Sequence, residues 1–162
     1  MKLGLDLYSI RSQDWDAIEK LDYCRRIGVD VAHFGLGDLG TVDEDDLLAV
    51  KAHADEIGLE IEVGMGSICE TSTTFNPENG SAVEQTRRAL HVAEIMGSRI
   101  LKVLLGNSAD RRTEVPLETH VENCVATCRA VRDQAIDLGI KLAVENHAGD
   151  LQGWELRGLI EA

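Results

Sequence analysis

Positive charge is scarce in this chain. Its 162 residues include 16 Lys and Arg against 29 Asp and Glu, a formal charge of −13. So negative a surface repels phosphate backbones, which argues against nucleic acid and suits small neutral molecules or a bound cation. Proline occurs only twice and hydrophobic residues make up 44 %, which excludes collagen-like and disordered chains. No stretch reaches the ~18 apolar residues of a membrane span, and Met1–Asp6 lacks the apolar core of a signal peptide. No membrane partner is therefore expected, and a cytoplasmic location is. The four cysteines form no CxxC pair, so free, mostly buried thiols are expected, with Cys124 and Cys128 on one helix face. No P-loop, HExxH, GxSxG or EF-hand motif occurs. Gly35-Leu36-Gly37-Asp38-Leu39-Gly40 has the GxGxxG spacing, but it follows the second expected strand and does not open a first helix, so a nicotinamide-binding half is not expected.

What is present is a recurring phrase. Ile27-Gly28-Val29, Ile57-Gly58-Leu59, Met96-Gly97-Ser98 and Leu138-Gly139-Ile140 each close a helical pattern and open an apolar run. Glycine there supplies a left-handed helix cap. The repeat predicts five strands, about 3–9, 29–35, 60–65, 100–105 and 141–146. Helices fall at about 14–18 (the spacing running on through Cys24), 43–57, 81–96 and 117–138, with another beginning near 152. Ser12 or Asp14 is a plausible first N-cap, Ser81 and Glu84 have capping-box spacing, and Pro116 suits a first turn. Strict alternation implies a parallel sheet with right-handed crossovers in one domain, residues 1–162.

An open doubly wound sheet or part of a (β/α)8 barrel would satisfy this pattern. The strands decide. A sheet covered on both faces should be apolar throughout. Here one face is polar: Gly4, Asp6 and Tyr8; Val31, His33 and Gly35; Glu60, Glu62 and Gly64; Lys102; Ala143, Glu145 and His147. That is a barrel interior opening toward a site. The expected fold is thus an incomplete parallel (β/α) barrel, about five of the eight units. Lys102 and Glu62, on neighbouring strands, suit an internal ion pair. His53, His91 and His120 fall in helices and read as solvated or half-buried.

The strand-to-helix end of such folds carries function, and the longest connections, 66–80 and 106–115, lie there. So does Lys141-Leu142-Ala143-Val144-Glu145-Asn146-His147-Ala148-Gly149-Asp150. Alternation sends Glu145 and His147 out of one strand on a common side, just before a Gly-Asp turn. Glu145 equally suits a helix cap, and His147 a surface loop.

Four of these segments carry a family resemblance: Leu5-Asp6-Leu7-Tyr8-Ser9-Ile10-Arg11, Glu62-Val63-Gly64-Met65-Gly66, Leu101-Lys102-Val103 and Ala143 to Asp150. Together they resemble sugar phosphate isomerases and epimerases with the xylose isomerase-like barrel, over the N-terminal five-eighths of a family domain. The resemblance implies proton transfer beside a sugar carbonyl, a sugar or sugar phosphate substrate, and a divalent metal (Mn²⁺, Mg²⁺, Co²⁺ or Zn²⁺). It makes Glu145 a metal ligand and catalytic carboxylate. Tyr8, His33, Asn146 and His147 are then substrate-binding candidates. With one ligand present, the chain alone is expected to be inactive. Inosose dehydratase-like and hydroxypyruvate isomerase-like enzymes share the scaffold; the acidic surface disfavours an abasic-site endonuclease. A non-catalytic truncated barrel that self-associates is the third reading, and a homo-oligomer is expected.

Overall fold

In the computed structural model, which describes residues 1–162, five strands form one parallel sheet in chain order: β1 (Gly4–Asp6), β2 (Val31–Gly35), β3 (Glu60–Ser67), β4 (Ile100–Leu104) and β5 (Lys141–Glu145). Each strand pairs with the next, so there is no point at which the order reverses. A doubly wound sheet requires such a reversal; a barrel wall does not. The partial barrel is what the chain builds.

Helices α1 (Ala17–Ile27), α2 (the single turn Leu36–Leu39), α3 (Glu44–Glu56), α4 (Ala82–Ile95), α5 (Leu117–Asp137) and α6 (Gly153–Glu161) follow the strands in turn. The helix-facing side chains Ala32, Phe34, Ile61, Val63, Leu101 and Val103 are buried in one continuous core with Leu21, Leu47, Leu90 and Val131 from the helices. Removing that apolar surface from water is the main term holding helices to sheet. The opposite face bears the polar set read from the sequence.

The first strand is shorter than its expected span, Leu3–Ser9. Asp6 ends it by accepting a hydrogen bond from the Tyr8 amide at 3.0 Å, and residues Leu7–Ile10 turn into a 3-10 helix. A short polar side chain offers the backbone this local alternative to a ladder. Alternation consequently stops at Asp6. Leu7 is fully buried, while Tyr8 is 65 % exposed with Arg11 stacked over its ring.

The first helix begins later than expected. Its N-cap is Asp16, in a reciprocal capping box with Glu19, rather than Ser12 or Asp14. The Ser81–Glu84 capping box forms as read, and Pro116 sits at the N-cap of α5. The single turn α2 was not foreseen. Lys20 secures it: its buried ammonium reaches Asp38 Oδ1 at 3.2 Å and the Asp38 carbonyl at 3.1 Å.

Candidate functional site

At the C-terminal ends of the strands lies a groove of about 380 Å³. Tyr8, His33, Glu145 and His147, from three different strand ends, all line it, together with Asp6 and Lys102. Asn146 is exposed and stands outside the lining. Strand register explains the grouping. His33 is level with Asp6 on one side and Glu62 on the other, while Lys102 is level with Gly64 and Ala143.

Lys102 is the hub. Its Nζ lies 2.9 Å from Glu145 Oε2 and 3.6 Å from Asp6 Oδ2. The expected pair with Glu62 does not form; Glu62 instead approaches His33 Nδ1 at 3.7 Å. A long flexible stem carried the ammonium across the interior to the two carboxylates at the mouth. The Lys102–Glu145 contact falls off the hydrogen-bonding direction, so the buried Oε2 has charge opposite it but no aligned donor.

His33 Nε2 is likewise buried without a partner. Burial pushes the imidazole below its ordinary pKa, and Lys102 adds to that, outweighing Asp6 and Glu62. Gly64 makes the close approach possible. A Cβ there would come within 2.7 Å of His33 Nε2 and 3.0 Å of Lys102 Cε.

Two buried aspartates hold the rim. Asp150 accepts from the amides of Gly106 (3.2 Å), His147 (2.9 Å) and Leu151 (2.6 Å). Asp110 accepts from the amides of Thr73 (2.6 Å) and Asn107 (2.8 Å) and from the Ser72 hydroxyl (3.0 Å). Burial alone would raise the Asp110 carboxyl, but these donors outweigh it and hold it below its usual range. Gly106 sits against both side chains of that contact: a Cβ would meet Asp110 Oδ2 at 1.9 Å and Ser72 Oγ at 2.4 Å.

His147 is fixed as well. Its Nδ1 lies 2.6 Å from the Gly106 carbonyl, which can only accept, so the proton is on Nδ1 and Nε2 is the free acceptor. Glu145 does not cap a helix; that place belongs to Gln152.

His120 departs from the sequence reading. It is fully buried, 2.7 Å from Thr71 Oγ1 and 3.2 Å from Thr113 Oγ1, and so links the two long loops. The cysteines are free, and three of the four are buried.

Residues 18–161 match the model of the xylose isomerase-like TIM barrel, and the chain belongs to that family. Among solved structures it is similar to the D-allulose 3-epimerase of Methylomonas sp. in complex with D-allulose. The identity is 20 % and the TM-score 0.70, over 99 % of this chain and 58 % of the epimerase. The IOLI protein with a bound zinc atom aligns at 14 % identity and TM-score 0.66, over 89 % of this chain and 51 % of its own. The probable 3-DHS dehydratase AsbF of Bacillus anthracis aligns at 15 % and 0.67, over 100 % and 60 %. The chain thus spans little more than half the length of these relatives. No curated protein sequence matches it.

One relative's zinc raises the question of a metal. No group of three or more His, Cys, Asp or Glu side chains in this chain could hold one. Glu145 is a single carboxylate with an ammonium already against it. By themselves these residues do not make a metal site.

Proposed function

We propose that residues 1–162 form the N-terminal part of a sugar isomerase or epimerase working by proton transfer beside a carbonyl. The observation that carries this is the Glu145–Lys102 pair, half-buried in a groove at the strand ends. A carboxylate there can take the proton from the carbon next to the carbonyl. The C–H electrons then pass to the carbonyl oxygen, and the resulting enediolate is negatively charged. Lys102 is the cation nearest to that charge, in a site where partial burial strengthens the interaction.

His147 Nε2 is an unfilled acceptor for a sugar hydroxyl, His33 lines the groove beside it, and Tyr8 borders the entrance. Asn146, exposed and outside the groove, is given no role in it. Glu145 is also the one ligand this chain would offer a divalent ion such as Mn²⁺, Mg²⁺, Co²⁺ or Zn²⁺, the others coming from outside residues 1–162. On that reading the chain binds sugar but does not turn it over alone. Proton removal beside a carbonyl can equally begin a dehydration, and one of the similar structures is that of a probable dehydratase.

Saturation-transfer NMR with D-fructose and D-allulose tests the proposal. We expect saturable binding to the chain that weakens about tenfold or more in both Glu145→Gln and Lys102→Met, the loss typical of a charged hydrogen-bond partner. Binding left unchanged in both variants, or no saturable binding at all, would overturn it.

A further inference from the structure

Beside the groove, and sharing Leu36, Met65 and Gly66 with it, opens a second cavity of about 710 Å³ between the end of β3 and α4. The groove alone falls in the range of small-molecule pockets, about 300–1,000 Å³, and so does the second cavity. Nothing closes the passage between them at Gly66. A Cβ there would meet nothing within 4 Å beyond its chain neighbours, and the residue has no positive φ, so the gap is not a by-product of backbone geometry.

The two linings differ in chemistry. The groove carries Asp6, Asp38 and Glu145 against Lys102. The second cavity has no carboxylate, and its cations are engaged: Arg87 donates to the Ala130 carbonyl at 3.4 Å, Arg88 to the Asn79 carbonyl, and His91 Nδ1 lies 3.4 Å from Glu94. Neutral amides are what it has to offer. Gln85 Nε2 donates to the carbonyls of Asn76 and Gly80, both at 2.8 Å, which leaves Oε1 as an acceptor. Asn76 Oδ1 accepts from the Glu78 amide at 3.0 Å, which leaves Nδ2 as a donor. Asn79 is held through its backbone carbonyl alone, so its side chain adds one group of each kind. The 76–80 loop that presents these amides is thereby anchored to α4 in advance, and Leu36, Met65 and Val92 give the cavity an apolar floor.

We infer that this cavity receives a second sugar ring, so that the substrate is a keto sugar bearing a glycosidic substituent. The inference rests on the sugar reading for the reacting unit in the groove. A pyranose has an apolar C–H face and a rim of hydroxyls, each of them donor and acceptor at once. An apolar floor flanked by amide donors and acceptors matches that surface without calling for charge. The link between the rings passes over Gly66, where any side chain would stand in its way. The acids and Lys102 thus take the carbonyl-bearing unit, and the amides take the ring attached to it.

NMR titration of the full chain with D-fructose and with two keto disaccharides, isomaltulose and lactulose, tests this. The disaccharides join their second ring to different hydroxyls of the fructose unit. We expect at least one of them to bind about tenfold or more tightly than D-fructose, and to shift the side-chain amide signals of Asn76, Asn79 and Gln85. In Gly66→Leu, which closes the passage, and in Asn79→Ala, the affinity ratio of that disaccharide to D-fructose should fall toward one. Disaccharides that bind no better than D-fructose, or a ratio untouched by both variants, would overturn the inference and leave the sugar reading intact. Absence of binding by all three sugars would overturn the sugar reading, and the second-ring subsite with it.

Discussion

Lys102 stands between Asp6 and Glu145, and His33 lies alongside with one ring nitrogen unpartnered. This arrangement has a consequence for stability. Because burial and Lys102 lower the His33 pKa in the folded state, the unfolded chain binds the proton first as pH falls. The contribution of neutral His33 is fully present above the unfolded value near 6.5 and declines on acidification below it. We expect urea midpoints of the chain to fall from pH 7.5 to 5.5, and part of that fall to vanish in His33→Gln. A His33→Gln profile parallel to that of the unaltered chain would show that the imidazole is not held neutral.

Among the elements, the loops at the strand ends are tied to one another by two buried carboxylates. Asp110 ties the loop after β3 to the loop after β4, and Asp150 ties the latter to the turn after β5. Asp110→Ala leaves the Thr73 and Asn107 amides without their acceptor, a cost of about 2–3 kcal/mol. Denaturant unfolding should show that loss, with faster amide hydrogen exchange confined to residues 70–76 and 106–113. A change below about 0.5 kcal/mol would remove Asp110 from this role.

Elements of this kind mark the border of what the sequence reveals. Helix spacing, the Gly-terminated helices and the Ser81–Glu84 box were legible because each depends on residues within a few positions of one another. So was the polar face that brings His33 and Glu145 together, since alternation along a strand is local. The destination of Lys102 was not legible. Glu62 and Glu145 lie on the strands either side of it, and only the path of a long side chain chooses between them. His120 was misjudged because its partners Thr71 and Thr113 come from loops whose course no period records. Asp6 was placed correctly on the wet face, yet its second role, ending β1, made the strand shorter than the apolar pattern suggests.

At the scale of the whole molecule, β1 and β5 each have one unpaired edge. Near the β5 edge, Ile136 on α5 and Trp154 and Ile160 on α6 are 57 %, 74 % and 65 % exposed. Open edges and exposed apolar side chains favour association, and we propose that residues 1–162 pair with a second copy. Light scattering after size exclusion should give a dimer or larger species at tens of micromolar, shifted toward monomer by Trp154→Glu. A monomer at every concentration tested would count against pairing. On the proposed function, the sugar enters at the C-terminal ends of the strands. The most direct test is a ¹H–¹⁵N shift map recorded while D-fructose is added to the chain. The amides of Asp6, His33, Gly64, Lys102 and Glu145 should move together and saturate. Shifts confined to the opposite end, around the cavity lined by Lys51, Glu60 and Gly97, would contradict it.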